Sequence, residues 1–93
     1  MYIICYDIAD GRRLYRVARL LEDYGIRVQK SVFYCNPSES NYQRLFTFLN
    51  RIIDAEEDKI LIQPICTGCE KKMICIGKES ESLQPVMETY RII

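Results

Sequence analysis

Residues 2–7, YIICYD, are β-branched and aromatic, with too little polar alternation for a half-exposed edge strand. A strand of this kind belongs inside a sheet, with other strands beside it. That requirement limits the fold more than any other stretch, because the chain has only 93 residues to supply the neighbours. One domain is the default at this length, and it buries only about 60–65% of its unfolded surface, so dimerisation would add stability.

The rest of the pattern supplies those neighbours. In residues 10–25 Leu14, Val17, Ala18, Leu21 and Tyr24 recur at helical spacing, with Asp10 placed as N-cap and Gly25 as the C-terminal stop. Residues 26–35 read as one bent strand or as two short strands meeting near Ser31. Pro37 stands near the start of a second helix, whose apolar stripe is Tyr42, Leu45, Phe46, Leu49 and Ile53. An acidic turn, 54–58, leads to a strand at 59–66, where Pro64 implies an edge or a bulge. A turn at Thr67–Gly68 precedes a strand at 72–77. This order predicts a ferredoxin-like α+β sandwich, βαββαβ, with two helices on one face of the sheet. The expected domain is 1–77. The tail, 78–93, ends in a strand expected to pair with a dimer partner, and a homodimer stacking two sheets would cover the face without helices.

Composition removes some functions and leaves others open. No stretch reaches the roughly 18 apolar residues of a membrane span, and no secretory leader is visible, so no membrane partner is expected. An odd set of five cysteines then suggests a reducing, cytoplasmic setting. With no histidine, serine–histidine and cysteine–histidine mechanisms are excluded. Walker, dinucleotide-binding and nucleophile-elbow motifs are also missing. Net charge is zero, yet Arg12, Arg13, Arg16, Arg19, Arg27 and Lys30 crowd the first third of the chain.

Asp7 stands at the end of the apolar strand, where a carboxylate is rigidly held and open to solvent. Mg²⁺ takes one or two carboxylates, with water and substrate phosphate filling the remaining positions. The competing role for Asp7 is to orient the following turn. Guanidinium groups match phosphate, so the Arg12, Arg16, Arg19 stripe suits a polynucleotide backbone, and Arg13, Arg27, Lys30 and Ser31 are expected to extend the nucleic-acid-binding set. A solvated helix face with an Arg19–Asp23 pair is the alternative. Tyr6, Phe33 and Tyr34 either flank such a path or belong to the core. CTGC, with Cys66 and Cys69, is a lone CxxC without the second pair of a structural zinc site. Redox use would place it at a helix start, whereas here it reads as a pair of turn cysteines, with a zinc shared between chains as the remaining option.

YDIAD at 6–10, RVARLLEDYG at 16–25, RVQKSVF at 27–33 and IIDAEEDKILIQPIC at 52–66 together resemble the CRISPR-associated protein two family, the small adaptation subunits of CRISPR systems. The resemblance covers about two-thirds of the chain and implies a ferredoxin-like homodimer. It implies a metal-dependent endonuclease acting on RNA or DNA, with Asp7 from each subunit as Mg²⁺ ligand. Arg16, Arg27 and Phe33 match positions tied to activity or substrate contact, and Ser31 belongs to the same motif. It also implies assembly with the CRISPR-associated integrase, protein one, and DNA during spacer acquisition. Three functions follow as expectations: the metal-dependent nuclease, a non-catalytic DNA-binding scaffold for the integrase, and a toxin-like ribonuclease of similar shape.

Overall fold

The computed structural model describes residues 1–76 and 91–92. The elements are β1 (Tyr2–Asp7), α1 (Gly11–Tyr24), β2 (Gly25–Gln29), β3 (Val32–Cys35), α2 (Glu39–Ile52), β4 (Lys59–Pro64), α3 (Thr67–Lys71), β5 (Ile74–Cys75) and β6 (Arg91–Ile92). The first four strands form one antiparallel sheet in the order β2-β3-β1-β4. This is the ferredoxin-like arrangement expected from the sequence, a split βαβ in which β1 lies between β3 and β4. The apolar strand is therefore interior, with Ile4 opposite Phe33 on one side and Ile62 on the other.

Residues 26–35 resolve into the two-strand alternative. β2 and β3 turn at Lys30–Ser31, and the register shifts between Arg27 and Gln29, which leaves Val28 as a bulge. Pro64 closes β4 on the sheet edge, where the missing N–H costs no ladder bond. CTGC departs from expectation. Cys66 caps a short helix, accepting the Cys69 N–H at 3.4 Å, and the chain does not simply turn at Thr67–Gly68. The physical reason is that a thiol can serve as the side-chain acceptor of an N-cap, as a hydroxyl does. The strand expected at 72–77 shrinks to two residues, which pair in parallel with β6. The remaining tail residues, 77–90 and 93, and any pairing with a second chain, lie outside the described residues.

Alternation along β1 sorts its side chains. Ile4 and Tyr6 enter the core with Phe33 and Cys35 of β3, Val17 and Leu21 of α1, and Leu45 and Leu49 of α2. One cluster thus holds both long helices to one side of the sheet. Each large aliphatic or aromatic side chain buried there contributes roughly 1.5–3 kcal/mol. Burial pushes the Cys35 thiol up to about 11, as suits a core residue. Tyr2 stacks on Tyr42 of α2 with ring centroids 4.5 Å apart, closing one end of the interface. Leu61 of β4 points away from the cluster and remains 57% exposed.

Asp10 and Ser38 start the two long helices. The Asp10 carboxylate accepts the N–H groups of Arg12 and Arg13 at 3.0 Å each, and Ser38 Oγ accepts that of Asn41 at 3.3 Å. Pro37 precedes the cap, outside the helix. Gly25 ends α1 as expected, but for a different reason. Its backbone is extended, with φ −167°, so no left-handed cap is involved. A Cβ at this position would overlap the Tyr34 carbonyl and approach Cys35 Sγ to 2.6 Å. Gly25→Ala is therefore expected to destabilise the fold by about 1–3 kcal/mol through forced separation of β2 and β3. Urea denaturation measures this, and a wild-type midpoint would show that the strands part freely.

Candidate functional site

The carboxylate of Asp7 is exposed and makes no hydrogen bond or ion pair among the described residues. It lies at the rim of the sheet, across from Lys59 of β4 in the strand register. The turn-orienting role weighed for Asp7 belongs to other acids. Asp10 caps α1, and Asp58, from the turn before β4, holds the loop that follows β1.

Asp58 is the residue that sequence reasoning missed. Its side chain has no exposed surface, and backbone and guanidinium N–H groups of the protein donate to both of its oxygens. Ala9 N–H reaches Oδ1 at 2.9 Å, and Asp54 N–H reaches Oδ2 at 2.8 Å. Arg13 adds Nε at 2.8 Å and Nη2 at 3.2 Å, the paired geometry that guanidinium and carboxylate favour. These bonds, with Arg13 first, hold the Asp58 carboxyl well below the usual carboxylate range. The Arg13 guanidinium is raised in turn, chiefly by the same bond. The acidic run DAEED is the only signal in the sequence. It marks a turn, but nothing in it shows that one acid reaches back to residues 9 and 13.

The basic strip divides accordingly. Arg13, expected among the phosphate-binding residues, is committed to Asp58, with Glu57 at 4.0 Å, because the turn before β4 brings both acids to the first turn of α1. Arg12 and Arg16 are exposed, and their guanidinium groups have no partner among the described residues. Arg19 pairs with Glu22 at 3.3 Å and not with Asp23. Arg27 lies 3.6 Å from the same Glu22, donates to the Lys30 carbonyl at 2.9 Å, and stacks 5.1 Å from the centre of the Phe33 ring.

Phe33, expected beside substrate, is wholly buried at 0% exposure, with Tyr6 at a centroid distance of 6.1 Å. It can act only through Arg27, whose guanidinium it supports. The Lys30–Ser31 turn hangs on Tyr6: Tyr6 N–H donates to the Ser31 carbonyl at 3.1 Å and the Tyr6 hydroxyl to the Lys30 carbonyl at 3.3 Å. Asp7 and this turn are thus placed by adjacent residues of one strand.

Cys66 and Cys69 are both exposed, as free thiols. The hydrogen bond from the Cys69 N–H pushes the Cys66 thiol down, and the thiol bond to Cys66 pushes Cys69 up. The described residues hold no cluster of three or more acids, cysteines or histidines able to enclose a metal ion. A metal at Asp7 would therefore need ligands from solvent, substrate or a second chain. No helix among the described residues is long and apolar enough to cross a membrane.

Comparison with known proteins places this geometry in context. The family model described as CRISPR associated protein Cas2 matches residues 1–73. The CRISPR-associated endoribonuclease Cas2 4 of Rhodospirillum rubrum is 39% identical over 92 residues, covering 99% of this chain and 73% of the relative. The CRISPR-associated endoribonuclease Cas2 1 of Chloroflexus aurantiacus is 42% identical over 77 residues, 82% of this chain and 83% of the relative. The crystal structure of Streptococcus pyogenes Cas2 at pH 6.5 superposes with a TM-score of 0.66 at 33% identity, covering 70% of this chain and 84% of that one.

The Asp58 cluster makes stability depend on pH in a definite direction. A depressed folded-state carboxyl stabilises above its unfolded value, about 3.9, and that contribution disappears as pH falls toward the folded value. Asp58→Asn is expected to melt below wild type at neutral pH, with the difference narrowing below about pH 4. Thermal melts across the acid range test this. A gap of constant size would show that the charge on Asp58 is not the source.

Proposed function

The chain belongs to the CRISPR-associated Cas2 family, and on that footing we propose that it is a metal-dependent endonuclease of CRISPR adaptation, with Asp7 as its Mg²⁺ ligand. The carrying observation is the Asp7 carboxylate itself: exposed, without a partner among the described residues and fixed at the end of an interior strand. A hard cation suits an oxygen donor of this kind, and one carboxylate per chain is enough when phosphate and water complete the shell. When bound, the Mg²⁺ supplies charge neutralisation at the scissile phosphate and an acidified water.

The chain's own residues do the rest. Arg12 and Arg16 offer unpaired guanidinium groups to phosphates, and Arg27, held over Phe33, presents another beside the Lys30–Ser31 turn. Asp58 keeps the loop after Asp7 from moving, which preserves the position of the carboxylate. In this reading two chains stack their sheets through the face bearing Leu61, so that Asp7 meets the same residue of a second copy. RNA is the favoured substrate, since both relatives above carry the name endoribonuclease.

Asp7→Ala is expected to lower cleavage of RNA by at least the roughly 10–100-fold that loss of a supporting group costs a metal site. Sedimentation run alongside should show unchanged dimer content. Cleavage at the wild-type rate would remove Asp7 from the chemistry, and a monomeric wild type would remove the paired-carboxylate form.

One observation favours a second reading, a DNA-binding scaffold for the CRISPR integrase. The described residues provide no enclosed ligand set, while Arg12 and Arg16 stand free among them. A scaffold binds duplex DNA through phosphates, so affinity falls steeply with salt. Replacing Arg12 and Arg16 with Ala should weaken duplex binding and lower the salt slope by about 1 for each phosphate no longer neutralised. Fluorescence anisotropy over a salt series reads both, and an unchanged slope would exclude these arginines from the DNA path.

A further inference from the structure

Helix α1 carries a second apolar face that the core does not use. Val17 and Leu21 point into the sheet, but Leu14 is 39% exposed and Tyr15 67% exposed. Gly11, Leu14, Tyr15 and Ala18 follow the i, i+3, i+4, i+7 spacing and so form one stripe. The stripe borders a trough of about 290 Å³ whose opposite wall is the Lys30–Ser31 turn, with Tyr6 between them. That volume is close to the lower limit of roughly 300 Å³ for small-ligand clefts, enough for a ring system but not for a folded segment.

The trough joins one apolar wall with a polar rim. Gly11 and Ala18 keep the wall low, and Tyr15 raises an aromatic face beside it. On the rim, Arg27 already shares its guanidinium with Glu22 and the Lys30 carbonyl. The Lys30 ammonium makes no ion pair among the described residues, and the Ser31 hydroxyl is likewise uncommitted there. None of the residues lining the trough is an acid. An aliphatic side chain would gain nothing from this rim. A nucleobase would use all of it: a π-face for Tyr15, and ring nitrogens and carbonyls for Lys30 and Ser31, next to a cation that attracts its phosphate.

We propose that this trough receives one unstacked base of a single-stranded polynucleotide, with Tyr15 as the stacking platform and Lys30 and Ser31 contacting the base edge. The proposal rests on the nuclease reading for its biological setting but not for its geometry. Tyr6 lines the trough on the helix side of the sheet, and strand alternation sends the next residue, Asp7, to the opposite side. A strand passing over this rim could place a base in the trough and a phosphate at Asp7, and a dimer stacked through the other sheet face would leave the trough open.

The test measures binding by anisotropy in the presence of a chelator, so that no cleavage is needed. The probes are a short single-stranded oligonucleotide, in ribo and deoxyribo form, and a duplex. Tyr15→Ala should weaken single-strand binding roughly tenfold, the usual scale for removing one base stack, while Tyr15→Phe stays within about twofold. Duplex binding should be unchanged, because its bases remain stacked. Gly11→Leu provides a second variant: no heavy atom lies within 4 Å of an added Cβ, so the side chain enters open space and should also weaken single-strand binding. An effect confined to the ribo strand identifies RNA as the occupant, and one confined to the deoxyribo strand identifies DNA.

Wild-type affinity in both variants overturns the proposal, as does an equal loss for duplex and single strand. Loss of integrase binding with single-strand affinity retained also overturns it, by assigning the trough to a protein side chain. If Asp7→Ala still cleaves at the wild-type rate while Tyr15→Ala loses single-strand affinity, the nuclease reading fails and the trough stands.

Discussion

The Asp58 carboxylate is the tie on which the geometry of this protein depends. A charge without exposed surface needs several donors, and Asp58 collects them from three places: the loop after β1, the first turn of α1 and its own turn before β4. The end of the interior strand, the start of the first helix and the entry to the edge strand thereby become one unit. Without that tie, the loop carrying Ala9 and Asp10 would be an ordinary surface connection, and Asp7 would end a strand with nothing to fix the chain beyond it.

A strand places neighbouring side chains on opposite faces, and β1 uses this at its last two residues. Tyr6 enters the helix side, braces the Lys30–Ser31 turn and lines the trough. Asp7 takes the other side, at the rim, with its carboxylate exposed. One rigid strand end can thus serve two surfaces. In the proposed dimer, stacked sheets would cover the side that holds Asp7 and leave the helix side accessible.

Parts of the site are legible in the sequence because they depend on local spacing. The capping role of Asp10 needs only the residues just after it, and α1 declares itself by its apolar period. The solvent exposure of Arg12 and Arg16 follows from the same period. Arg13 escapes such reasoning, because an arginine on a helix looks equally solvated whether or not a distant acid reaches it, and Asp58 is 45 residues away. Phe33 reads as a substrate contact from its motif, while its burial is decided by β1 and α1. Leu14 fits the core stripe of α1 but stands on its margin, since the sheet covers only Val17 and Leu21 fully. Gly25 is placed as a helix end by its sequence position, yet its necessity comes from the close approach of β3.

The amino-acid sequence by itself determined the order of elements, the interior position of β1 and the location of Asp7 at its end, since these follow from periodicity and from the apolar demand of one strand. Tertiary structure alone decided which arginines remain free, which acid fixes the loop behind Asp7, and which apolar side chains of α1 line a trough. Those outcomes rest on pairings between residues far apart in the chain, and no local propensity encodes which distant partner a charge or a ring will meet.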